Sequence, residues 1–153
     1  MSLQAQVEAE LKKALKEKDS IKISALREIL TALKYREKQS GDKLNPAQEL
    51  EVLSKLKKQH QESISAFEKG NRVDLVEKEK AQLKVIEEFL PKPLSPEELK
   101  QMVSEAIEEL GAKSLKDMGK VMSALKEKYT GRADGKTVSE EVKKQLQEKA
   151  EAG

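Results

Sequence analysis

Three prolines fall within the six residues from Pro91 to Pro96, in the run PKPLSP. Proline fixes its own φ, lacks an N–H and pushes the preceding residue out of the helical region, so a continuous helix through this segment is forbidden. The break leaves a longer and a shorter piece, and each must bury its own apolar surface. We read 1–90 as one domain, 91–95 as a Pro-rich linker and 96–153 as a second, smaller domain, both within the usual size range. The smaller one lies near the lower limit at which a single core sustains a fold.

Both pieces show apolar residues at helical spacing, and no period-two alternation marks a strand. The fold class is therefore all-α: an N-terminal helical bundle of about four helices and a C-terminal three-helix domain. The first helix spans roughly 3–17, with Leu3, Val7, Leu11, Ala14 and Leu15 on one face. The second spans roughly 20–39, with Ile23, Leu26, Leu30 and Leu33 as its stripe and Ser40-Gly41-Asp42 as its stop. Asn45-Pro46-Ala47-Gln48 opens the third, where Asn45 caps, Pro46 sacrifices no hydrogen bond and Gln48 completes a capping box. Val76, Leu83, Ile86, Phe89 and Leu90 mark the fourth. Ser95-Pro96-Glu97-Glu98 repeats the cap logic for the fifth. The sixth is read from Leu115, capped by Ser114, and the last buries Val138, Val142 and Leu146.

Composition narrows the function. The 153 residues contain no Cys, which removes disulfides, thiol nucleophiles and cysteine zinc sites. No apolar run is long enough for a membrane span or a signal-peptide core, so a cytoplasmic location is the default reading. No phosphate-binding glycine loop, dinucleotide fingerprint or nucleophile elbow occurs. The one histidine, His60, stands at heptad spacing from Leu53 and Phe67, beside an apolar stripe. It reads as a packed or hydrogen-bonded side chain, since a lone His makes neither a metal site nor a triad. We assign no catalytic residue, metal or cofactor.

Basic charge gathers at one place. The net charge is +2 overall. Between Met118 and Val138, however, Lys120, Lys126, Lys128, Arg132 and Lys136 face only Glu127 and Asp134. A wheel drawn from Leu115 puts Lys113, Lys116, Lys120 and Lys128 opposite the apolar face as a basic strip. The bland account is a solvated helix face; the functional one is an anion-binding surface. Gly119, within the helix, costs about 1 kcal/mol relative to Ala. We read it as a close helix crossing in preference to a ligand contact. Gly131 fits a left-handed helix stop. Asp134 fits the cap of the last helix with Gly135 in its first turn, and Thr137-Val138-Ser139-Glu140 is a rival start.

The run SLKDMGKVMSALKEKYTGRADGKTVSEEV, Ser114 to Val142, resembles the tail-domain signature of the GatB/YqeY family. ESISAFEKGNRVDLVEKEKAQLKVIEEFLPKPLSPEEL, Glu62 to Leu99, is similar to the middle of free-standing YqeY proteins, and SALREILTALKYRE matches more loosely. The most specific pieces are Met118 to Met122 and Gly131 to Asp134. Many tail domains carry Pro where this chain has Gly135, which leaves the loop looser. The resemblance implies an all-helical pair like the tRNA-holding end of the B subunit of glutamyl/aspartyl-tRNA amidotransferase. It implies no ATP-binding cradle and no amidase, hence no transamidation by this chain alone. The expectation is a tRNA-binding module in which Arg132 forks onto phosphate and Lys120, Lys126, Lys128 and Lys136 add point charges. The alternative is an adaptor for an aminoacyl-tRNA synthetase or another translation protein, which would need an exposed apolar patch instead of a basic one. A carbon-nitrogen ligase acting alone is the least favoured reading.

Overall fold

A computed structural model of the chain describes residues 2–152. Among these every regular element is helical. The helices are α1 (Leu3–Glu17), α2 (Ser20–Ser40), α3 (Pro46–Lys69), α4 (Val73–Glu87), α5 (Pro96–Leu110), α6 (Met118–Tyr129) and α7 (Gly135–Ala152). The chain divides into two units, one ending at Pro91 and the other beginning at Lys92.

The caps explain where the helices begin. Ser2 accepts from Ala5 N–H and Asp19 from Lys22 N–H, each 3.1 Å long. Asn45 and Gln48 form the reciprocal capping box ahead of Pro46, and Ser95 and Glu98 form another ahead of Pro96. These bonds satisfy amide groups that the first helical turn leaves without partners.

In the N-terminal unit α1 packs on α2, α3 on α4, and α2 lies against both α3 and α4. The core is an aliphatic cluster centred on Leu26, Ile29, Leu33, Leu53 and Ile86. Each such side chain contributes about 1.5–3 kcal/mol relative to exposure. The C-terminal unit packs α5, α6 and α7 against one another around Val103, Val121, Leu125, Val138, Val142 and Leu146. The two cores share no residue.

The prolines' segment is not free chain along its whole length. Leu94 N–H donates to the Arg132 carbonyl at 2.9 Å, and Leu94 packs against the second core. Residues 92–94, within the stretch read as linker, thus belong to the C-terminal unit. Proline supplies the break in helix, but where the chain rejoins a core is decided by tertiary bonds that local sequence does not encode.

Candidate nucleic-acid interface

The basic residues sit on α6, on the loop after it and on the first turn of α7. Before α6 the chain makes a 3₁₀ turn at Leu115–Asp117, with Ser114 capping it. This corrects the single wheel drawn from Leu115: the α-helix starts at Met118, so Lys113 and Lys116 are not in its register. Within α6 itself, at about 100° per residue, Lys126 and Lys128 lie about 120° and 80° to either side of Lys120. The three lysines wrap the solvent side of α6 instead of forming a strip. Lys120, Lys126, Lys128 and Lys136 are all exposed, and Arg132 is half-buried.

Gly119 is also exposed, and a Cβ there would meet nothing within 4 Å. The close helix crossing expected at Gly119 is absent from this unit. The cost of the glycine is therefore not offset by packing. Gly119→Ala is expected to raise the stability of the C-terminal unit by about 0.5–1 kcal/mol. Chemical denaturation checks this, and a loss of stability would mean that the open space is misassigned.

The loop between α6 and α7 is built on one carbonyl. Tyr129 C=O accepts from both Arg132 N–H at 2.8 Å and Ala133 N–H at 2.9 Å. Gly131 takes φ of 81°, the left-handed conformation that closes so tight a turn. Val138 N–H donates to Asp134 C=O at 3.1 Å, and α7 starts at Gly135. The start at Asp134–Gly135 is the one adopted, and the rival at Thr137 lies inside the helix.

Arg132 has a structural task that sequence reasoning missed. Its Nε–H donates to the Lys92 carbonyl at 3.0 Å, and its Nη2 stands 3.8 Å from a Glu98 carboxylate oxygen. Arg132 therefore ties the segment before α5 to the α6–α7 loop. Its partners lie 40 and 34 residues away, and no local pattern could have named them. A guanidinium carries five N–H donors, and here Nε is taken by Lys92 while Nη2 stands near Glu98. Glu98's carboxyl is held below its ordinary range, chiefly by Ser95 backbone and hydroxyl bonds, and further by the charges of Arg132 and Lys92. Asp117 is also lowered, first by the Lys113 backbone N–H it accepts at 2.9 Å and then by nearby Lys120 and Lys113.

A shallow groove of about 460 Å³ runs beside the loop, with Arg132 and Lys144 facing Asp134, Glu140 and Glu141 along it. Its mixed charge makes it a poor anion pocket. Lys120, Lys126, Lys128 and Lys136 do not line it. An anion would meet these side chains on open surface, as phosphates along a nucleic-acid backbone do.

The second polar cluster is in the N-terminal unit. His60 on α3 is buried at 6% exposure. Its Nε2 is 2.7 Å from Glu28 Oε1 on α2, and its Nδ1 meets Glu79 Oε2 on α4. Gln82 on α4 donates to Ser24 Oγ on α2 at 3.1 Å. The expected packed or hydrogen-bonded role of His60 is what the structure has. Of its partners, Glu79 shares the inward face of α4, seven residues before the buried Ile86, but periodicity does not pair it with His60. Among the described residues no group of three or more His, Cys, Asp or Glu side chains is placed to hold a metal ion. Likewise, no helix there is long and apolar enough to cross a membrane.

These features define a class: an all-helical protein of two small units, the second bearing an open basic surface around a Gly-Arg-Ala-Asp loop. The family model described as Yqey-like protein matches residues 4–146, and the chain belongs to that family. Its relatives include the protein named altered inheritance of mitochondria protein 41, mitochondrial. The Kluyveromyces lactis form is 37% identical over 86 residues, 56% of this chain and 46% of the relative. The Lachancea thermotolerans form is 34% identical over 109 residues, 69% and 58% of the two chains. A Schizosaccharomyces pombe protein is 32% identical over 94 residues, 61% and 76%. The chain spans about half the length of the first of these relatives.

Proposed function

We propose that this chain binds tRNA through the basic surface of its C-terminal unit, as an accessory module without chemistry of its own. The observation that carries the reading is the set of exposed bases on α6 and the first turn of α7, Lys120, Lys126, Lys128 and Lys136, with half-buried Arg132 on the loop between these helices. The similarity of the Ser114–Val142 run to the tRNA-holding tail of an amidotransferase subunit supports it. So does the surface type: among the described residues, the exposed large apolar side chains of the C-terminal unit reduce to Leu115, which is no patch for a protein adaptor. Structured RNA is read largely through shape and backbone contacts, and scattered lysines on a helix suit that mode better than base readout. The cytoplasm is our expectation for its location.

The test is bulk tRNA titrated into the full chain across a salt series. Neutralising three to five phosphates gives a log–log slope of about −2 to −4, a loss of about 16- to 250-fold in affinity between about 50 and 200 mM salt. Binding that ignores salt, or no binding at the lowest salt, would sink the reading.

A further inference from the structure

The geometry points to a second RNA contact, on the N-terminal unit: a groove between α2 and α3 that holds one unpaired nucleotide, its base stacked on Tyr35. This inference rests on the tRNA-binding reading and extends it to a surface that the basic loop does not include.

Tyr35 is the starting point. The chain has only two Tyr and two Phe. Phe67, Phe89 and Tyr129 are half-buried, and the last two pack against the cores. Tyr35 alone is exposed, at 64%. One exposed aromatic is ordinary by itself. This one, however, edges a concavity of about 350 Å³ whose floor includes Ala32, Val52 and Leu56. That volume is at the lower end of small-ligand sites, about 300–1,000 Å³. It has room for a single planar group and is too small to seat a folded partner.

The groove's polar groups fit a nucleotide. Gln39 Nε2 donates to the Tyr35 hydroxyl at 3.2 Å, which helps to fix the ring on the α2 surface. Gln39 and Gln59 both line the groove, and amides offer the donor and acceptor that a base edge needs. Arg36 Nη2 is positioned 3.5 Å from Glu51 Oε2 at the same site, and Lys55 is exposed beside it. Two cations against one carboxylate leave a net positive charge for the phosphate. An apolar floor, an exposed ring, amides and excess positive charge together match a stacking platform for a single-stranded nucleotide.

Tyr35 can be watched directly, because the chain has no Trp. In a Tyr129→Phe background Tyr35 is the one fluorophore. Bulk tRNA is titrated into the unaltered chain and into the Tyr129→Phe, Tyr35→Phe and Tyr35→Ala variants. Stacking predicts quenching of Tyr35 emission on binding. It also predicts an affinity loss of about 5- to 100-fold for Tyr35→Ala, with Tyr35→Phe within about 2-fold of the unaltered chain. Binding by the Tyr129→Phe chain without quenching, or full affinity in Tyr35→Ala, overturns the platform and leaves the basic-surface reading standing. No tRNA binding by the unaltered chain overturns both.

Discussion

His60→Ala is expected to cost the N-terminal unit about 2–4 kcal/mol of unfolding free energy, measured by urea denaturation of the full chain. His60 joins three helices: α3 carries it, α2 supplies Glu28 and α4 supplies Glu79. A neutral imidazole has a single N–H, yet both ring nitrogens face carboxylate oxygens. The arrangement therefore fits the imidazolium form, which donates to both. Removing the ring leaves two partly buried carboxylates without the charge that separates them, together with a cavity. That combination is costlier than either loss alone.

The same cluster sets a pH dependence. Burial pushes the His60 pKa down, but the hydrogen bonds and charges of Glu28 and Glu79 outweigh it, and the net shift is upward from the ordinary 6.5. A raised folded-state pKa means that the folded chain holds this proton more tightly than the unfolded one. The added stability is full below pH 6.5 while the glutamates are charged, and it is lost as pH rises through the raised value. His60→Gln, which cannot titrate, is expected to flatten the profile in this window. The chain has one histidine, so no second imidazole contributes in this window. A parallel decline in His60→Gln would contradict it.

Leu125→Ala is expected to remove most of the stability of the C-terminal unit. Leu125 is fully buried among Val103, Val121, Val138, Val142 and Leu146. Leu→Ala in such a setting costs about 3–5 kcal/mol. A core of this size, in a unit of about 60 residues, supplies little more than that. Because the two cores share no residue, hydrogen exchange should show lost protection across α5–α7 and retained protection in α3 and α4. Uniform loss along the chain would contradict the separation of the cores.

How legible this was in the sequence depended on distance along the chain. Caps and stops are local, and Asn45–Gln48, Ser95–Glu98 and Gly131 do what their spacing implies. Helix stripes follow from a 3.6-residue period, and the buried set of α2 contains Leu26, Leu30 and Leu33 from the expected stripe. The failures were non-local or broke the period. The 3₁₀ turn at Leu115–Asp117 breaks the single wheel that puts Lys113 and Lys116 in register with α6. Gly119 is in open space, and a one-dimensional pattern cannot tell an open face from a crossing. The ties of Arg132 to Lys92 and of His60 to Glu28 and Glu79 join residues 19 to 40 positions apart. Such pairings are fixed by packing, which single-helix periodicity does not specify.

The central claim is that lysines on the C-terminal unit contact RNA phosphates. Its most direct test is tRNA affinity at low salt for the full chain against a Lys120→Glu/Lys128→Glu/Lys136→Glu variant. Arg132 is left intact, because its bond to Lys92 would confound fold with binding. Circular dichroism serves as the check that the variant remains folded. The account predicts a loss of at least about tenfold in affinity and a shallower salt slope. Equal affinity and an equal slope in the folded variant would contradict it and leave those lysines as a solvated face.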